Sequence, residues 1–241
     1  MKKLSKIDES AWGDMRHRSA GKTIRKEDVI IDNKTLKNKI KELYEEQGEG
    51  DTLDVSSLNK YKFDDLSTLF YNFNKVKQII GLETWDVSNV TDMSSIFKNC
   101  SSLTELNISN WNVSNVTDMH FMFDHCESLT ELNISNWDVS NVTNMTGIFN
   151  GCISFTELNI SNWNVSNATN MAYMFGYCKS LTELNISNWD VSKVTNMNSM
   201  FTDCSSLKEL NIDTWDVNAS LIRNMFYECN KLIKPKWYKY E

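Results

Sequence analysis

Residues 85–110 read WDVSNVTDMSSIFKNCSSLTELNISN, and the stretch returns down the chain with little change. Trp85, Trp111, Trp137, Trp163, Trp189 and Trp215 stand 26 residues apart. Cys100, Cys126, Cys152, Cys178 and Cys204 keep the same step, and Cys229 follows Cys204 by 25 residues. Self-similarity at a fixed period of this size is the signature of a solenoid, in which each unit covers the apolar face of its neighbour. Upstream of Trp85, Leu69, Phe70 and Phe73, then Ile80 and Leu82, form a degenerate copy.

Two periodicities alternate inside the unit. Met93, Ile96, Phe97, Cys100 and Leu103 are spaced as one face of a helix of roughly three turns. Thr91 and Asp92 stand where they would cap its free amides. Beyond Leu103 the step falls to two, with Leu106 and Ile108 on one side and Glu105, Asn107 and Ser109 on the other, as in a half-buried strand. The expected fold is an α/β repeat solenoid. Its leucine-rich-repeat-like coils each hold one short parallel strand and one short helix, behind a small helical N-terminal cap. Stacking at about 4.8 Å per coil would line the Trp, Met, Phe and Cys columns up as packing ladders. Asn89, Asn115, Asn141 and Asn167 would form a polar ladder on turn carbonyls.

The element F-x-x-C-x-x-L-x-x-L-x-[LI], joined to W-[DN]-V-S-N-V-T-[DN]-M, resembles the BspA-like leucine-rich repeat proteins of bacteria. Within them it is most similar to the subgroup with 25- to 26-residue W-D-[VT]-S-N-V-T-[DN]-M repeats. The pattern covers residues 66 to about 230. The resemblance implies a solenoid and, for many members, adhesion to host proteins or other cells at the cell surface. It implies no catalytic residues.

The ends differ from the middle. Residues 34–46 read as an amphipathic helix with Leu36, Ile40, Leu43 and Tyr44 on one face, stopped by Gln47-Gly48. The expected division is a charged segment and helical cap over 1–50, the solenoid over 51–230, and a C-terminal cap over 231–241. Residues 1–10, MKKLSKIDES, have the positive start of a signal peptide without the apolar stretch behind it. On the sequence alone the chain is expected to be cytoplasmic or particle-associated, against the surface location that the resemblance implies. Residues 1–30 are too polar for core and are a candidate tether to a larger assembly, such as a phage particle. Without such a tether the solenoid is expected to be monomeric. No stretch approaches a membrane span. The net charge of −7 excludes a nucleic-acid backbone as the main partner.

Among chemical sites, the cysteines recur once per coil at an apolar position, without the C-x2-C pairs or histidine clusters that metals require, so they read as buried thiols. No nucleophile triad, phosphate loop, catalytic residue, metal site or cofactor site is expected. The strand face carries Glu105, Glu131, Glu157, Glu183 and Glu209 beside Asn107, Asn133, Asn159 and Asn185. That face is a candidate surface for a protein or glycan, or a merely solvated charge run. Coil-specific recognition would sit where the units differ, at exposed aromatics such as Phe121, Tyr173 and Tyr177. The expected function is non-catalytic binding of a macromolecule, of an adhesion or protein-interaction type. The alternative is a structural part of a larger assembly held through residues 1–30.

Overall fold

The computed structural model describes residues 30–217 and 221–239. It opens on α1, Asn33–Glu46. Asp32 begins the helix by accepting the Thr35 amide at 3.0 Å, the expected N-cap bond. Leu36 and Ile40 are buried, and Tyr44 meets the edge of Phe73 at 5.2 Å, so the helix covers the first coil with the face expected of it. Asn33 also reaches the stack, donating its amide to the carbonyls of Asp65 at 3.3 Å and Ser67 at 3.0 Å. Of the candidate tether, residues 1–29 lie outside the described residues.

From Leu53 onward the chain winds into coils whose equivalent residues stack. The phenylalanine rings from Phe70 to Phe226 form a continuous column with neighbouring centroids 5.4 to 5.7 Å apart and nearly parallel planes. Tryptophan and methionine columns lie beside it, buried throughout. Each fully buried aromatic or Met contributes about 1.5–3 kcal/mol on removal from water. Indole N–H groups from Trp85 to Trp189 are satisfied by the preceding coil, while among the described residues the buried Trp215 Nε1 meets no acceptor. Trp111 donates its indole N–H to the Leu82 carbonyl at 2.9 Å, and Trp163 donates to Ile134 at 3.1 Å. At the C-terminal end Trp237 makes the same bond to Ile212 at 3.0 Å, out of the 26-residue phase. The degenerate first copy shifts its register: Leu82 is buried as expected, but Ile79 takes the core place and Ile80 is 40% exposed.

The expected helix of each coil does not form. Among the described residues the repeats contain no α-helix. Residues 93–100 and their copies fold instead as tandem tight turns. Lys98 N–H bonds to the Ser95 carbonyl at 3.1 Å, and Cys100 N–H to Phe97 at 3.1 Å. Every fourth residue enters the left-handed region, as with Ser95 (φ 54°) and Asn99 (φ 61°). The intervening amides leave the coil: those of Met93, Ser95, Phe97 and Asn99 bond to the carbonyls of Asp118, His120, Met122 and Asp124 in the next. Apolar residues spaced three and four apart suit a turn repeat of four as well as a helical 3.6. Local chemistry decides between them. Ser, Asn and Asp compete with the backbone for hydrogen bonds and disfavour helix interiors. Asp92 captures the Ser94 amide at 2.8 Å, Asp118 that of His120 at 2.9 Å, and Asn144 that of Thr146 at 3.2 Å. The threonines beside them, expected to cap helices, tie coil to coil: Thr117 Oγ1 donates to the Thr91 carbonyl at 3.2 Å, and Thr143 to Thr117 at 3.2 Å.

The expected strands are also reduced. Among the described residues, parallel pairing over more than one residue joins only β1, Thr52–Asp54, to β2, Gln78–Ile80, and β3, Glu183–Leu184, to β4, Glu209–Leu210. The unbroken line of parallel bridges runs elsewhere, through Asp65, Asp92, Asp118, Asn144, Asn170, Asn196 and Leu221, where the turns begin. The asparagine ladder forms at three of the four expected positions, Asn89 being the exception among the bonds seen. Asn115, Asn141 and Asn167 donate side-chain amides to the carbonyls of Ser88, Ser114 and Ser140 at 2.7 to 2.8 Å.

Candidate binding surfaces

The Glu and Asn rows lie on an open face. From the second full coil onward that face is a groove of about 1480 Å³. Its lining includes Glu131, Asn133, Glu157, Asn159, Glu183, Asn185, Glu209 and Asn211, so most of the strand-face residues singled out above come together in it. Glu105 and Asn107 stay outside. Glu105 accepts a 2.7 Å bond from Gln78 Nε2, and Asn107 accepts the Ser109 hydroxyl at 3.1 Å. Local structure orders the floor. Leu158 and Leu184 anchor it in the core, and alternation along the chain turns Glu and Asn outward. Hydroxyls two residues on hold the asparagine oxygens, Ser161 to Asn159 at 3.2 Å and Ser187 to Asn185 at 3.1 Å.

One end of the groove is chemically different. Lys208, Ile233, Lys234, Pro235 and Lys236 line it, with Asp213 beside them, and Ile233 is 88% exposed. The trough thus runs from a row of carboxylates to a cluster of ammonium groups flanking an exposed aliphatic side chain. Sequence reading missed this end as a site. The signal was the run of lysines after Cys229, read only as a cap.

The aromatic candidates do not join the groove. Phe121, Tyr173 and Tyr177 lie in the turn segments, at left-handed positions with φ 55°, 57° and 60°. Phe121 is explained by its neighbours. Its ring lies over Gly147, where an added Cβ would come within 2.5 Å of Phe121 Cδ1. Lys98 Nζ sits 4.1 Å from the ring centroid and also pairs with the buried Asp124 at 2.7 Å. Asp124 further bonds His125 at 2.7 Å and Asn150 Nδ2 at 2.7 Å, a small network confined to this part of the stack. Tyr173 and Tyr177 are more than two-fifths exposed.

The cysteines are packing residues. All six are free and buried, and each donates to a phenylalanine carbonyl of the preceding coil, for example Cys126 to Phe97 at 3.2 Å and Cys204 to Phe175 at 3.0 Å. Burial pushes the Cys100 and Cys178 thiols up to about 12, which suppresses the thiolate needed for nucleophilic or metal chemistry. Among the described residues no helix is long and apolar enough to cross a membrane.

Solved structures to which the chain is similar at low identity include three proteins. The first is the protein in the crystal structure of the TLR13–ssRNA13 complex (14% identity, TM-score 0.33), where the match covers 75% of this chain and 31% of that one. The second is a leucine-rich repeat protein from Bacteroides ovatus (14% identity, TM-score 0.23), with 72% and 70% covered. The third is the functional domain of InlJ from Listeria monocytogenes, which includes a cysteine ladder (15% identity, TM-score 0.22), with 69% and 44% covered. This chain therefore spans about a third of the length of the TLR13 chain. No curated protein sequence matches it. A family model described as "Mycoplasma protein of unknown function, DUF285" matches residues 38–132, 64–183 and 121–238. These overlapping matches run from within the helix through the tryptophan coils to residue 238, and the chain belongs to the DUF285 family.

Proposed function

We propose that the chain is a non-catalytic protein-interaction module that holds a partner in the Glu/Asn groove. The narrower kinship with the BspA-like repeat proteins, and with it an adhesion role, belongs to this reading. The observation that carries it is the groove itself: about 1480 Å³ of open trough across four coils, with stacked Glu and Asn side chains on its floor and lysines at one end. Opposed charges at its two ends favour one orientation of a bound segment, because electrostatic complementarity sets register and suppresses wrong partners. The floor carries more carboxylates than ammonium groups, so it suits a partner segment with basic side chains. The alternative, a structural part held through residues 1–30, rests on a segment of which 1–29 lie outside the described residues.

The test compares two double variants with the unmodified chain as bait in extracts of source cells. Glu157→Lys with Glu183→Lys reverses the floor, and Tyr173→Ala with Tyr177→Ala clears the turn face. A partner held in the groove is lost with the first and kept with the second. A partner lost only with the tyrosine variant overturns the assignment.

A further inference from the structure

The coil-to-coil backbone hydrogen bonds of residues 93–99 and their copies all run one way. At each coil four alternate amides point toward the C-terminal end of the stack and meet four carbonyls of the next coil. The last such set is Met197, Ser199, Phe201 and Asp203, bonded to Leu221, Arg223, Met225 and Tyr227 at 2.7 to 2.9 Å. The equivalent amides of the final turn segment belong to Ile222, Asn224, Phe226 and Glu228. Asn224 and Glu228 have the same left-handed backbone, φ 56° and 59°, as Ser199 and Asp203. Among the described residues none of these four amides has an acceptor. Phe226 is buried, Ile222 is half-buried, and Asn224 and Glu228 are exposed. The flanking Leu221 and Tyr227 are 60% and 59% exposed. The core behind this edge is closed, with Tyr238 packed on Phe226 at 4.9 Å. Among the described residues nothing bonds the backbone edge.

We infer that this edge is a second docking surface, which takes a segment of another protein folded in the same tight turns and added in parallel as a further coil. The occupant's chemistry follows from the direction of the bonds. An edge offering only N–H groups pairs with a segment that turns alternate carbonyls to one side, as each turn segment does for the coil before it. A second copy of this chain does not supply that segment. Tail to tail, donors would oppose donors. Head to tail, α1 stands on the first turn segment, and its Asn33 already takes the carbonyls of Asp65 and Ser67. The exposed Leu221 and Tyr227 side chains supply apolar contact on either side of the open amides.

The probe is a synthetic peptide with the sequence TNMNSMFTDCSSL, residues 195–207 of this chain, which presents such carbonyls when it pairs as it does in the stack. Amide exchange in the intact protein is followed residue by residue as peptide is added. The expected result is at least a tenfold slowing at Asn224 and Glu228, with groove amides unchanged. Leu221→Lys with Tyr227→Lys should abolish the slowing without moving the thermal midpoint, since both side chains are exposed. Unchanged exchange at Asn224 and Glu228 up to millimolar peptide overturns the inference. So does protection without peptide that accompanies dimer formation in sedimentation, which would make a second copy the occupant. The groove variant Glu157→Lys with Glu183→Lys should bind the peptide normally, so this inference and the groove reading fail separately.

Discussion

Between Met93 and Asn99 four amides cross to the next coil, whereas no parallel bridge joins residues 103–109 to 129–135. Side chains show the opposite contrast. The weakly bonded floor repeats Glu-Leu-Asn-Ile unchanged at 105–108, 131–134, 157–160 and 183–186. The strongly bonded turns carry Ser95, Phe121, Gly147, Tyr173 and Ser199 at one equivalent place. Backbone hydrogen bonds do not read side chains, so a turn column can vary as far as its left-handed backbone tolerates. Neither burial nor backbone pairing demands that the floor's exposed Glu and Asn repeat. The region that holds the coils together and the region that keeps its outward chemistry are therefore different ones.

The comparison breaks most sharply in the core that both regions share. Phe149→Ala removes a ring stacked on Phe123 and Phe175 and should cost about 3–5 kcal/mol in urea denaturation. A loss below about 1 kcal/mol would mean that backbone bonds alone hold the stack. Within the turns, Gly147→Val places a branched side chain at φ 58° and against the Phe121 ring, for an expected loss of about 2 kcal/mol or more. Tyr173→Asn, in the same column, should change stability by less than about 1 kcal/mol, since Asn tolerates that backbone. Equal losses from the two would refute the idea that only backbone tolerance governs the column.

Smaller effects test the polar ladders. Asn141→Ala leaves the Ser114 carbonyl without its 2.7 Å partner and should cost about 1 kcal/mol. On the floor, Glu157→Gln should raise the urea midpoint slightly at low salt, an advantage that fades near 1 M salt as stacked carboxylates are screened. The smallest effect concerns Asp86, whose carboxyl is lowered to about 2 by hydrogen bonds from Lys62 and Ser88. A lowered carboxylate stabilises the fold above its ordinary range, and the contribution is lost as pH falls through about 2. Lys62→Met should therefore move the Asp86 titration, followed by carboxyl NMR, up toward ordinary values. An unmoved titration would leave Ser88 as the sole cause.

Much of this was legible in the residues. The period, the buried columns, the face of α1 and the asparagine ladder follow from spacing and polarity. The outward Glu and Asn rows were legible too, because alternation along an extended segment is a local property. The helix misreading has a physical origin. Met93, Ile96, Phe97 and Cys100 fit two backbone geometries equally well, and only the polar residues between them leaned toward turns: Ser, Asn and Asp, with Gly147 and Gly151 four apart. The groove's basic end escaped because Lys208 and Lys234 are distant in sequence and meet only when the tail folds back.

By itself, then, the sequence determined that equivalent residues stack, since identical units spaced 26 apart have no other way to bury the same apolar stripe. Tertiary structure decided where the backbone bonds go. An amide that could have closed a helical turn within its own coil finds a carbonyl in the next one instead, and that choice exists only once two coils lie side by side. The one-way run of donors, the open edge after Glu228 and the lysines at the end of the trough all follow from that packing.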